Sequence, residues 1–579
     1  MGIIAKQSIQ GTIVTYLGVA VGFVTTFFVL TRFLTAEEIG LARVLVDAAT
    51  LFIGLAQLGT SSSIIRFYPH FKHSVESCRM VQNSLELSSA EKTTLNNSKQ
   101  PLNNSTQPLN NSTQPSDHGF FFWTLIVPLV GFALFTAIYC ACHEPLSHWF
   151  GEKSPLFVEY YYMVLPMAFF MLYQTVFETN ANVRMHIVVP RAVRELITRI
   201  GLLVVYLLYA FECLNINGFV IALCAVYAVA MFCNMGYLFS LGEVSLRPDM
   251  QFLRENRSLV RQYILYTGFL LVSAVASVLA PTLSSFFITA EMGLNYTGIF
   301  AIATYIAVMV SIPYRSMTAI ASPQLATAIK ENNQQETAHL IQQVSSTLLL
   351  IGGMILCLIW LNIDLIFHVL PNGETYAAAR QVVLMLGTSQ LIIAVCSFSS
   401  SALNYSRFYA FSLLFSFILT ILSILLNNLL IPHFGMNGAA VSNLIAYAIY
   451  FLFIILTVRF ALHAPTFTRQ HLKILLLILV ILSLNFLWQE YLPINNVWLS
   501  SIVRTVVLMG GGCAVAWFKN LSPEINQQIQ TTLNNSKQPL HNSLCVISSA
   551  LHTMAPLFTV RNASPMALLF RRRWSRRWL

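Results

Sequence analysis

From Phe408 to Ile431 the chain reads FYAFSLLFSFILTILSILLNNLLI. A short break, Pro432-His433-Phe434-Gly435-Met436-Asn437-Gly438, follows, and then AAVSNLIAYAIYFLFIILTV from Ala439 to Val458. No aspartate, glutamate, lysine or arginine occurs between Arg407 and Arg459. Each apolar run approaches the ~20 residues needed to carry a helix across a ~30 Å hydrocarbon core. The proline, glycines and asparagine between them are the residues of a chain reversal. The pair therefore reads as two membrane-spanning helices joined by a tight turn. Neither run alternates polar and apolar residues over about ten positions, as a membrane β-strand would.

Working outward from this hairpin, twelve more runs of the same kind appear. They cover residues 12–30, 40–64, 120–140, 160–177, 196–211, 219–241, 263–288, 296–320, 344–361, 377–403, 474–488 and 497–517. Hydrophobic residues make up 56% of the chain and charged residues 10%. A soluble protein of this length could not hide so much apolar surface, so lipid is the solvent. The expected class is an all-α polytopic membrane protein with about fourteen spans. The first run lies far from any A-x-A cleavage pattern and is read as a span, not a signal peptide.

Charge orients the spans. Of 33 lysines and arginines, only Arg32 and Lys153 fall on one set of connections, and Arg43, Arg315, Arg380 and Arg504 fall within spans. The remainder lie on the other side, from Lys6 through Arg184, Arg191, Arg194, Arg199, Arg407 and Arg459 to the Arg571–Arg577 cluster. Cytoplasmic loops favour Lys and Arg, so both termini are expected in the cytoplasm. The net charge of +10 reflects this topology and is no argument for nucleic acid.

The chain also resembles itself. Leu34-Thr35-Ala36-Glu37 returns 254 residues later as Ile288-Thr289-Ala290-Glu291, and Asn217-Gly218 returns as Asn437-Gly438. An even number of helices per repeat makes the halves run in parallel, related by an axis along the membrane normal, as in secondary transporters with a central path. The expected lobes are 1–241 and 242–460, with two added helices in 461–518 and a basic tail, 519–579. Within the first lobe, 73–118 holds a low-complexity insert repeating LNNSTQP; insert and tail are expected to be disordered. The Trp- and Arg-rich end of the tail suits an anionic leaflet, or is an incidental extension.

The ten cysteines are scattered, with no metal-ligand spacing, and neither H-E-x-x-H nor a phosphate-cradling glycine loop is present. No cofactor is expected. The longest outer connection is read as 362–376, too small for the extracytoplasmic site of a membrane glycan polymerase or ligase. Charge inside the membrane is the remaining signal. Arg43 and Asp47 lie four apart on one helix face, with Asp47 roughly 10 Å in from the outer end. Arg315 follows Pro313. Intramembrane charges cost several kcal/mol unless paired or hydrated, and so tend to line aqueous paths. The alternatives are a structural ion pair for Arg43 and Asp47, and snorkelling for Arg315. Arg380 and Arg504 read as interfacial, while Arg66 faces either a cavity mouth or headgroups. A chamber with several guanidiniums suits an anionic substrate, because guanidinium matches phosphate oxygens in pairs.

The segment from Ile431 to Ala440, IPHFGMNGAA, is similar to the P-x-x-G-x-x-G-A-A hairpin of polysaccharide exporters in the MOP superfamily. Gly293-Leu294 through Gly298-Ile299-Phe300 to Pro323-Gln324-Leu325-Ala326 resembles that family as well, as does Lys6-Gln7-Ser8 through Gly40-Leu41-Ala42-Arg43. The likeness spans roughly residues 1–518 apart from the repeat insert. Fourteen spans favour a Wzx-type flippase over the multidrug exporters of the superfamily, which usually have twelve.

The resemblance implies two six-helix lobes around a V-shaped cavity and a substrate of undecaprenyl diphosphate carrying a short oligosaccharide. That substrate would be turned outward across a bacterial cytoplasmic membrane for O-antigen, capsule or exopolysaccharide assembly, with a polysaccharide polymerase as a candidate partner. The expected substrate contacts are Arg43, Arg315 and Arg66, and the expected ion- or proton-coupling residue is Asp47. The competing expectations are a multidrug or small-cation exporter of the same superfamily and a membrane glycan polymerase or ligase.

Overall fold

The computed structural model describes residues 3–68, 119–242, 282–491 and 497–519, with scattered positions in 244–279 and Leu521 besides. Every regular element among them is a helix. Ten described helices are long and apolar enough to cross a membrane. The repeat insert, the tail beyond 521 and most of the expected span 263–288 lie outside the described residues.

The first lobe begins with α1 (Ile3–Val24), which continues through a π-helical turn, Thr25–Leu30, to Phe33. Next comes α2 (Ala36–Ala56). Its start is fixed by a capping box: Glu38 N donates to Thr35 Oγ1 at 3.3 Å and Thr35 N donates to the Glu38 carboxylate at 2.8 Å. Two otherwise orphaned backbone donors are thereby satisfied. Ile39, Leu41, Val44, Leu45 and Ala49 are all buried, so α2 is enclosed by protein and not by lipid. Around it stand α3 (Phe120–Ala141), α4 (Val164–Val183), α5 (Thr198–Ala210) and α6 (Ile216–Ser240).

The second lobe contains α7 (Leu294–Val308), a 3₁₀ turn at Met309–Ser311, α8 (Ile312–Lys330), α9 (Gln334–Leu361), α10 (Arg380–Tyr405) and α11 (Tyr409–Ala461). The helical assignment of α11 runs unbroken, yet the chain turns back within it. Gly435 sits at φ 57°, ψ −135°, and the rings of Phe415 and Phe453 stack with centroids 5.5 Å apart. At 1.5 Å per residue those rings would be about 57 Å apart on a straight helix. The two limbs of α11 are therefore the hairpin expected around Pro432–Gly438. A side chain at Gly435 would be strained by its positive φ, and a Cβ on Gly438 would overlap the Leu430 carbonyl.

The lobes meet where α2 crosses α7. A Cβ on Gly40 would overlap the Leu294 carbonyl, and one on Gly298 would overlap the Ala36 carbonyl. The contact maps onto itself when the lobes are exchanged: Ala36 stands to Leu294 as Gly40 stands to Gly298. That is the signature of a two-fold interface. It sets the register one helical turn away from the one suggested by the shared Thr-Ala-Glu pattern.

Two clasps flank this crossing on the same end of the molecule. Ser154 Oγ donates to the Thr289 carbonyl at 2.7 Å, beside a contact from Lys153 Nζ to the Glu291 carbonyl. In the other direction, Asn372 Nδ2 donates to the Thr31 carbonyl at 2.9 Å. Each lobe thus lays a connection between its own helices on a helix end of the other.

The last two helices, α12 (Arg469–Tyr491) and α13 (Val497–Phe518), pack on α9. Asn362 and Thr505 exchange side-chain hydrogen bonds at 2.8 and 3.0 Å. Arg504 is 3% exposed and donates to the Leu361 carbonyl. Read from sequence as interfacial, it is instead buried against the end of α9, whose terminal carbonyls lack intrahelical partners.

Other expectations shift as well. The connection between Cys142 and Tyr160 is longer than 362–376, and it folds into two short helices, His143–Gly151 and Pro155–Glu159. Span 160–177 starts later and ends later, at Val183, which brings Glu178 inside it. Span 196–211 is part of a longer broken helix: Val188–Ala192, a π turn at Val193–Ile197, then α5. Arg199, counted with the cytoplasmic arginines although the run 196–211 contains it, stands on a helix.

Candidate functional site

Between the lobes, past the α2–α7 crossing, lies a cavity of about 410 Å³. Its walls are the π turn of α1, the α2 residue Arg43, the α5 residues Arg199 and Tyr206, and α7–α8 from Thr304 to Arg315. Breaks in helical regularity shape it. The π turn brings Thr25, Thr26, Phe27 and Leu30 into the wall. The 3₁₀ turn at Met309–Ser311 precedes Pro313, which has no N–H to give to a helix, and this break re-aims Ile312 and Arg315.

Arg43 stands just below the Gly40 crossing. Its Nε donates to Asp47 Oδ2 at 2.8 Å, and its guanidinium lies 5.8 Å from the ring of Tyr305 on the other lobe. The Arg43 side chain keeps 23% exposure while that of Asp47 keeps 8%, so the arginine meets the cavity and the carboxylate backs it. Because the ion pair uses Nε, the terminal nitrogens of Arg43 are not spent on Asp47. Arg315 is exposed in the opposite wall, and no carboxylate lies within ion-pair distance of it among the described residues.

Arg199 is held differently. Its Nη2 donates to Glu195 Oε2 at 3.0 Å and its Nη1 to the Gly18 carbonyl at 2.8 Å. Gly22 makes room for it: a Cβ there would stand 2.6 Å from Nη1. Glu195, in the π turn, is 7% exposed. Behind it, Glu178 pairs with Arg194 at 2.9 Å, and Arg194 Nε reaches Glu195 at 3.5 Å.

Of the sequence-derived candidates, Arg43, Asp47 and Arg315 therefore come together, with Arg43 and Arg315 arriving from different lobes. Arg66 does not line this cavity; it is exposed on the helical segment after α2, with its guanidinium 5.9 Å from the Phe67 ring. Arg380 pairs with Asp364 at 3.1 Å and lies over Trp360, away from the site. Sequence reading missed Arg199 and Tyr305. The only signal for Arg199 was its place inside an apolar run. No group of three His, Cys, Asp or Glu side chains able to hold a metal occurs among the described residues.

Three guanidiniums in one apolar-walled chamber, two of them backed by carboxylates, can bind oxyanions through charge-assisted hydrogen bonds. Low-dielectric walls strengthen such bonds.

No family model matches the chain, and no curated protein matches it. Solved structures do. The lipid II flippase MurJ in an inward closed conformation is 13% identical, with a TM-score of 0.62, over 89% of this chain and 100% of that one. A multidrug resistance MATE transporter of the MOP superfamily, inward-facing, is 16% identical, with a TM-score of 0.54, over 80% and 99%. A MOP superfamily transporter from Pyrococcus furiosus, described as having a binding pocket of reverse polarity, is 13% identical, with a TM-score of 0.53, over 80% and 96%. At these identities the likeness is one of fold: the chain has the helical membrane fold of MOP-type transporters.

Proposed function

We propose that this chain is a flippase that turns an undecaprenyl-diphosphate-linked oligosaccharide across a bacterial cytoplasmic membrane by alternating access, for surface polysaccharide assembly. One observation carries the reading: Arg43 of the first lobe and Arg315 of the second face one cavity. A diphosphate bridging them ties the lobes together, so its arrival and departure bias their relative position. A ligand shifts a conformational equilibrium only through such differential contact. The likeness in fold to a lipid II flippase supports a lipid-linked substrate.

In this reading the phosphates lie between Arg43, Arg315 and Arg199, the sugars occupy the wet chamber, and the prenyl tail stays in lipid. Arg66 meets the headgroup before entry. Asp47 is the coupling residue, able to release or engage Arg43 as an ion or proton binds. The MATE likeness keeps a small-cation exporter in view. A cavity whose buried aspartate is already neutralised by Arg43 at 2.8 Å offers such a cation little.

Deletion of the protein followed by lipid analysis tests the function. A flippase predicts undecaprenyl-linked repeat units trapped on the cytoplasmic leaflet. Normal surface glycan with no such build-up, or substrate-stimulated dye efflux in its place, removes the reading. Joining of sugar units by the purified protein would point to a polymerase.

A further inference from the structure

We infer that an acyl chain of a bilayer phospholipid occupies a second, apolar groove between the lobes and bridges them. This groove, about 270 Å³ in volume, shares no lining residue with the cationic cavity. One wall is the α2 row Ala48, Leu51, Phe52 and Leu55. Their i, i+3, i+4, i+7 spacing makes one continuous helix face about 10 Å long. The facing wall is Phe286 and Phe287, on the second-lobe helix just before the clasp at Thr289. Trp149, on the short helix His143–Gly151, stands between them at the mouth, its ring 5.6 Å from that of Phe287.

The chemistry of the lining selects the occupant. Besides Trp149, its only side chains with a polar tip are Tyr139 and Tyr161. Each of their hydroxyls donates to the other residue's carbonyl, at 3.1 and 2.8 Å, while the rings stack 4.1 Å apart. The hydroxyl protons are thus spent within the wall. A buried water needs about 2–4 polar partners, which this groove does not offer. Left empty, a void of roughly nine water volumes would deprive its lining of dispersion contacts. No lysine, arginine or histidine lines it, so a diphosphate head finds no partner here. A phospholipid keeps its own head at the water surface and needs none. The way in is from lipid: Tyr139 directly follows the exposed lipid face of α3, Leu134 and Ile138. Exposed Trp149 suits the headgroup level, where membrane tryptophans collect. A chain seated here touches α2 of the first lobe and Phe286 and Phe287 of the second. Parting the lobes at this end removes one wall, so the chain favours the closed arrangement by that differential contact.

The test uses the full-length protein in phosphatidylcholine vesicles doped with a phosphatidylcholine that carries a diazirine on its acyl chain. Illumination followed by peptide mass spectrometry maps the adducts. Adducts should form at Ala48 and Phe52, both buried from the outer surface of the protein, as well as at Leu134, an exposed reference on α3. Ala48→Trp fills the groove and should abolish the α2 adducts while those at Leu134 persist. Should that variant fail to fold, Leu51→Trp fills the groove from the next turn and is read in the same way. In detergent, added phosphatidylcholine should raise the thermal midpoint of wild type more than that of the filled variant. An equal rise in both removes the bridging role. Absence of α2 adducts in wild type, or their persistence in a filled variant, overturns the inference. So does their displacement by farnesyl phosphate at trace mole fraction, which would make the groove an isoprenoid site.

Discussion

Gly40 and Gly298 pack backbone against backbone across the lobes, so that a Cβ added to either would stand 3.1 Å from the other's amide nitrogen. The crossing closes one end of the space between the lobes and leaves the cavity at the other. Whatever opens the closed end has to part these two glycines.

A single methyl group at Gly298 therefore carries a large consequence. Gly298→Ala would overlap the Ala36 carbonyl, a backbone atom that cannot rotate away. Overpacking of this kind costs typically 1–3 kcal/mol. The expected result is a lower thermal midpoint in detergent. An impermeant thiol reagent added from the outer side should also label a cysteine at Thr304, in the cavity wall, faster. An unchanged midpoint with unchanged labelling would show the crossing to be looser than described.

The clasps should act on the same equilibrium with less force. Ser154→Ala and Asn372→Ala each remove a cross-lobe hydrogen bond worth about 0.5–1.5 kcal/mol. Their effects on outer labelling of the Thr304 cysteine should add, since the clasps are on separate loops. Labelling that responds to neither substitution would assign both loops to stability alone.

The arginines of the cavity should differ from Arg504. Arg43→Ala and Arg315→Ala should each lower transport about tenfold or more at normal protein levels. Lysine in either place should restore little, because it lacks the paired donors that fit a phosphate. Arg66→Ala, at a residue outside the cavity wall, should have the smallest effect of the three. Flux through reconstituted vesicles, normalised to folded protein, measures all of these.

Arg504→Ala should instead reduce stability. It leaves the Leu361 carbonyl, at the end of α9, without its buried donor, a loss of about 1–3 kcal/mol. Thermal unfolding should register it while flux per folded molecule stays near wild type. A flux defect at full stability would bring α13 into the transport path.

Much of this architecture could be read from the sequence, for identifiable reasons. Apolar length reports directly on the solvent around a helix, so the long helices among the described residues were legible. The reversal at Pro432–Gly438 was equally plain, because only those residue types tolerate its backbone. Arg43 and Asp47 were paired on paper by helical spacing, and they pair at 2.8 Å. What escaped was local irregularity. The π turn at Val193–Ile197 has no composition of its own, so a run starting at 196 hid the pairing of Glu195 with Arg199 behind the cavity wall. Glu178 lies one residue past Phe177, the last aromatic residue of its apolar run, although the helix runs on to Val183. The repeat register failed by one turn because the loop residues Thr35 and Thr289 look alike, while the glycines that set the contact do not lie at matching places in those loops.

The central claim is that guanidiniums from both lobes hold the diphosphate of a lipid-linked sugar during passage. The most direct measurement is transbilayer movement of a labelled undecaprenyl-diphosphate oligosaccharide in proteoliposomes, read by an impermeant glycan-cleaving enzyme. Wild-type protein should expose the inner-leaflet pool, and the Arg43→Ala/Arg315→Ala double variant, folded and inserted, should leave it protected. Equal exposure by the double variant would contradict the account.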